Sequence, residues 1–188
     1  MHAYNFDYAR AFLRTYDGAA PWLLMNSFHE GHEGTGEVLA TVDADMAAFL
    51  AGLGRETLGQ TAVIVIADHG LTMGLNFLYT PNGRVEHKNP VLALMLPPWV
   101  AAERPEVAAA LAANAQRLVT AYDVFTTFHH LLHFGDPPPP AGERPAAWAA
   151  AGNVSATARW GASLFAPVPE GRSCADAGVP PDTCMCTV

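Results

Sequence analysis

Short unbroken apolar runs punctuate this chain, and between them apolar residues recur every third or fourth position. In residues 6–16, Phe6, Ala9, Phe12 and Leu13 fall at helical spacing until Asp17 and Gly18 break it, which predicts a short helix. Residues 21–28 form a compact apolar run that predicts a buried strand opening into a polar loop over residues 29–36. From Glu37 onward, Val38, Leu39, Val42, Met46, Phe49, Leu50 and Leu53 line one helical stripe, closed by Gly52 and Gly54. Residues 62–67 are all apolar and four are β-branched, the pattern of a central strand covered on both faces, and the run ends at Asp68, His69 and Gly70. Residues 91–96 predict a third strand, ended by Pro97 and Pro98, for which an antiparallel orientation is open. Residues 105–118 and 121–132 read as helices, the second turning Val124, Phe128, Leu131 and Leu132 to the core. His129, His130 and His133 lie along that second helix, whose stripe packing already explains, and they read as structural.

Strand, loop, helix and strand over residues 22–67 make a βαβ unit of the length a right-handed parallel crossover needs. The predicted fold is therefore α/β, with a mostly parallel central sheet flanked by helices. In such a sheet the two polar loops open on one edge, which places His29, Glu30, His32 and Glu33 near Asp68 and His69 although more than thirty residues separate them. Residues 137–140 are a stiff proline run, residues 146–151 are of low complexity, and a Pro-, Gly- and Cys-rich tail follows. Two parts are expected on that basis: residues 1–136 as the α/β domain, and residues 137–188 as a linker and tail packing on it. No internal repeat is present.

Composition narrows the function classes. With 188 residues and 51% hydrophobic positions the chain is long enough for a true core. A net charge of −8 with only ten Lys and Arg argues against a nucleic-acid partner, and no run reaches the length of a membrane span. The first residues lack the basic flank and apolar core of a signal peptide. Cys174, Cys184 and Cys186 cluster near the end, as expected for a disulfide that staples the tail with one thiol left for another partner. A metal chelate by Cys184 and Cys186 lacks two further ligands at familiar spacing. The Asn153 sequon occurs too often by chance to argue secretion.

A carboxylate and an imidazole are apt ligands for a divalent ion, so Asp68 and His69 are the candidate metal pair. The plainer alternative is a strand-ending Asp beside a surface His. His29 and His32 stand three apart with Gly31 between, which is not the His pair, four apart on a helix, of zinc proteases. The glycines around them match neither dinucleotide nor phosphate-loop spacing. In a metal-assisted ester hydrolysis the ion polarises a phosphoryl or sulfuryl oxygen while His or Lys side chains neutralise the others. His32, His87 and Lys88 are the candidates for that contact with a small anionic ester; the alternative for His87 and Lys88 is a solvated turn before a strand.

These residues resemble the alkaline-phosphatase superfamily, and more closely its sulfatase-like branch catalogued as domain-of-unknown-function family 229. The resemblance runs over nearly the whole chain: residues 8–16, the His32-Glu33 loop, Asp43, residues 63–70, residues 86–90, Tyr122 and Asp123, and most specifically the tail of residues 164–186. It implies a partial alkaline-phosphatase or sulfatase-like sandwich. Asp68 and His69 then stand as the late pair of metal ligands for zinc, or for calcium or manganese, and His32 as a substrate contact. It further implies that the early acidic ligand and the nucleophile belong to a half that precedes the matched region, so that this chain corresponds to the C-terminal half only. The expected function is the C-terminal part of a metal-dependent phosphate or sulfate ester hydrolase, without a nucleophile of its own; the alternative is a non-catalytic remnant binding an ion or a partner. The resemblance and the tail cysteines favour an extracellular or secretory setting.

Overall fold

The computed structural model describes residues 2–139 and 159–186, so the low-complexity segment at 146–151 and the Asn153 sequon lie outside the described residues. The chain forms two compact units, Met1–Pro97 and Pro98–Val188. The boundary expected between residues 136 and 137 falls inside the second.

In the first unit, α1 (His2–Tyr16) packs on α2 (Glu37–Ala51), with Phe6, Ala9 and Val42 buried, while Val38 and Leu39 of the predicted α2 stripe are exposed. Phe6 is buried between Phe28 and Phe49, with ring centroids 5.0 and 5.2 Å away, and Ala9 and Val42 complete this core. After α3 (Arg55–Gln60) comes β1 (Val63–Ile66), and then α4 (Gly74–Tyr79) and α5 (Pro81–Lys88) return the chain to β2 (Leu92–Met95). The two strands pair antiparallel, Val63 opposite Met95 and Ile66 opposite Leu92. This two-stranded ladder is the sheet of the described residues.

That arrangement overturns the predicted mostly parallel sheet. Residues 21–28 run extended with alternating exposure, but they join no ladder, and Leu23 and Met25 are 89% and 86% exposed. Without that strand there is no parallel crossover, and β1 finds its partner in the segment that follows it. Nor is β1 covered on both faces: Val63, Ile64 and Val65 are half-buried and Ile66 is exposed. An apolar run of this length fits an antiparallel strand as well as a buried parallel one, since composition reports β propensity rather than direction. Only the antiparallel orientation open to residues 91–96 survives. The solvated turn considered for His87 and Lys88 is in fact the last turn of α5, whose start is fixed by Pro81 in the first turn and by the Thr80 hydroxyl, which accepts from the Gly83 N–H at 3.0 Å.

The second unit contains α6 (Pro98–Glu103), α7 (Pro105–Asn114) and α8 (Ala121–Leu131), covered by the tail. Pro98, expected only to terminate a strand, starts α6, where a first-turn proline costs no hydrogen bond. Val100, Val107, Ala110, Ala162, Leu164, Phe165, Val168 and Ala177 form the core. Asn114 clamps the tail: its amide donates to the carbonyls of Leu164 and Ala166 at 3.0 and 2.9 Å, and its Oδ1 accepts from the Val168 N–H at 2.8 Å. The face of α8 that is buried is Asp123, Thr126, Thr127 and His130, while Phe128 is 41% and Leu132 78% exposed. Of the predicted apolar stripe, Val124 and Leu131 are half-buried and Phe128 and Leu132 face outward.

Candidate metal site at the end of the first strand

The ladder reaches one pair past β1, where the Ala67 N–H donates to the Val91 carbonyl at 3.0 Å, and Asp68 is the first residue beyond it. The chain then turns under α5. The Gly70 N–H donates to the His87 carbonyl at 2.9 Å, and a Cβ at Gly70 would overlap the Glu86 carbonyl. This close approach holds residues 68–70 against the last turn of α5 and sets both imidazoles over one backbone carbonyl. His69 Nδ1 lies 2.7 Å from the Gly70 oxygen and His87 Nδ1 lies 3.5 Å from it, with the ring centroids 5.4 Å apart. Phe77 meets the His87 ring edge-on at 5.3 Å.

A carbonyl oxygen at 2.7 Å can only accept, so Nδ1 of His69 carries a proton, and in the neutral ring Nε2 is the nitrogen that presents a lone pair. That nitrogen is 3.5 Å from Asp68 Oδ2. Two ligand atoms about 2.1 Å from a tetrahedral ion stand about 3.4 Å from one another, so the pair has the spread needed to bind one ion together. The Asp68 side chain is 88% exposed and that of His69 43%, which leaves the outer side of the pair open. Among the described residues no third carboxylate, imidazole or thiolate converges with them; the three-residue set that does converge is Cys174, Cys184 and Cys186.

The His32 loop approaches the same turn, but through backbone. A Cβ at Gly74, which adopts the left-handed conformation at φ 84°, would overlap the Gly34 carbonyl, and Leu71 reaches toward Gly36. His32 itself is exposed, and no hydrogen bond joins it to Asp68 or His69. The remaining loop carboxylates have structural tasks. Glu33 accepts from the Thr35 hydroxyl at 2.7 Å and from the Val38 N–H at 3.3 Å, so it caps the start of α2, and the Thr35 hydrogen bond lowers its pKa. Glu30 accepts from the His2 N–H at 2.8 Å; burial raises its pKa, but the His2 contacts and the backbone hydrogen bonds outweigh that and the net shift is downward. Lys88 is half-buried in the last turn of α5, where a cation is favoured by the exposed carbonyls.

Of the residues singled out in the sequence, the structure thus gathers Asp68, His69 and His87 around Gly70, with Lys88 next along α5 and His32 on a neighbouring loop. Sequence reasoning missed His2, whose ring lies 3.1 Å from Glu30 and 2.9 Å from Asp45. Their separations of 28 and 43 residues carry no local signal.

A family model described as "Protein of unknown function (DUF229)" matches residues 1–188. No curated protein and no solved structure matches the chain.

Proposed function

The chain belongs to the DUF229 family, and we propose that within it Asp68 and His69 supply part of the divalent-metal site of a sulfatase-like phosphate or sulfate ester hydrolase. The observation that carries this reading is the 3.5 Å separation of Asp68 Oδ2 and His69 Nε2, with the other ring nitrogen committed to the Gly70 carbonyl. A hydrogen bond from the second ring nitrogen to a carbonyl is how metal-binding imidazoles are oriented and made more basic. A mixed Asp and His donor set suits zinc or manganese better than calcium, which prefers oxygen throughout. Such an ion would supply Lewis-acid polarisation of the ester.

The chain's own groups hold and orient. His87, beside His69, and Lys88 offset the charge of an anionic ester, while His32 stands exposed on the neighbouring loop. Two ligands fill half of a four-coordinate shell. The other ligands and the nucleophile are supplied by a different segment or partner. The Thr35 hydroxyl is taken up at the start of α2, donating to Glu33 and accepting from the Glu37 N–H at 3.1 Å. This last observation favours the second reading, in which the chain binds an ion without catalysis.

Assaying the full chain with zinc or manganese on an aryl phosphate and an aryl sulfate separates the readings. The expected outcome is bound ion without turnover above buffer, with turnover arising only when the complementary segment is added. Turnover by the chain alone that Asp68→Ala abolishes would contradict the division of the site, and no ion bound under any condition would remove the metal role.

A further inference from the structure

The three sulfurs of the tail lie in one cluster. Cys174 and Cys184 are disulfide-bonded, Cys186 is a free and exposed thiol, and all three Sγ atoms are within 4.8 Å of one another. Thiol–disulfide exchange requires a thiolate at one end of a disulfide, and a thiol this near needs only a small movement of an exposed residue to reach it. The packed part of the tail, which includes the buried Ala177, lies upstream of Cys184 and Cys186. Asn114 holds Leu164, Ala166 and Val168, and Arg172 Nη1 is bonded to Asp123 Oδ2 at 2.8 Å. Anchors that precede Cys174 do not oppose a change in what Cys174 is bonded to.

We propose that Cys174, Cys184 and Cys186 form a thiol–disulfide exchange site that moves the tail staple between two positions. The Cys186 thiolate attacks Cys174 Sγ, a Cys174–Cys186 bond forms as the Cys174–Cys184 bond breaks, and Cys184 leaves as a thiolate that takes up the proton Cys186 released. Two electrons stay in the new disulfide and one thiol is present before and after, so no outside oxidant or reductant is consumed. Attack on Cys184 is disfavoured, because it would close a disulfide across Met185 alone. The exchange lengthens the closed loop by two residues, a change with little entropic cost.

The test is disulfide mapping of the full chain, held without reductant, quenched in acid, alkylated and digested. The site predicts that alkylation divides between Cys186 and Cys184, that a Cys174–Cys186 peptide appears, and that the approach to equilibrium speeds up about tenfold per pH unit in the acid range. Cys186→Ser confines the disulfide to Cys174–Cys184. In Cys184→Ser, oxidation gives Cys174–Cys186 directly. Alkylation confined to Cys186 at every pH and time would overturn the proposal. So would a Cys184→Ser chain with both remaining thiols alkylated under oxidising conditions, or a chain isolated with three reduced thiols and a bound ion.

Discussion

Gly70 makes the Asp68–His69 arrangement possible. Its N–H donates to the His87 carbonyl, its own carbonyl receives His69 Nδ1, and the Glu86 carbonyl occupies the space a side chain would need. Gly70→Ala is therefore expected to lower stability by about 1–3 kcal/mol and to weaken ion binding together, read as a lower thermal midpoint and a weaker metal titration. An unchanged midpoint would mean that this turn is not tightly packed. The Asp-His-Gly triplet was legible in the sequence because its residue types carry chemistry and end an apolar run. His87 was legible only as a candidate, since its meeting with His69 depends on how α5 folds back, and nothing in the spacing of residues 70–87 encodes that return. His2, Glu30 and Asp45 had no legible link at all.

At the scale of elements, α8 is the instructive case. Its apolar residues predicted the buried face, yet the buried face is polar, because the tail brings backbone groups that satisfy it. Asp123 is fully buried and accepts from the Ala162 N–H at 2.7 Å, from the Thr120 N–H at 2.7 Å and from Arg172. Hydrophobic periodicity cannot register partners that arrive from forty residues away. Removing Asp123 leaves Arg172 buried without its counter-ion, so Asp123→Ala should cost about 3–5 kcal/mol, measured by urea unfolding; a loss below about 1 kcal/mol would indicate an exposed-type pair.

His130 adds a pH dependence to the same helix. It is buried, its Nδ1 lies 2.7 Å from Ser163 Oγ, and its Nε2 lies 3.1 Å from the Asp136 carbonyl oxygen. Burial lowers its pKa, and the Arg104 charge adds to this against the opposing pull of Asp136. Because the folded pKa is below the unfolded value of about 6.5, the unfolded chain takes up the proton first as pH falls. Its contribution is complete above about pH 6.5 and declines below it, toward the folded pKa. Urea midpoints should fall with acidification through that window, and His130→Gln should flatten the trend; an unchanged slope in the variant would assign the effect to other groups.

Across the whole molecule, α1, α2 and α7 fall where helices were expected, although α7 ends at Asn114 and not at residue 118, and β1 and β2 fall within the runs expected as strands at residues 62–67 and 91–96. Their assembly differs from the expected one. Direction and pairing depend on contacts between segments, and residues 21–28, apolar enough for a central strand, stay outside the ladder. Among the described residues no helix is long and apolar enough to cross a membrane, in keeping with the absence of such a run in the sequence. The proposed metal pair does not depend on the predicted topology, because Asp68 and His69 stand at the end of β1 and the turn beside α5, and not on a parallel neighbour. Calorimetric titration of the full chain with zinc, beside Asp68→Ala and His69→Ala, tests this most directly. Binding by the unaltered chain at one site, weakened by on the order of 10–100-fold in either variant, is expected. Equal affinity in all three proteins, or no binding by any, would contradict it.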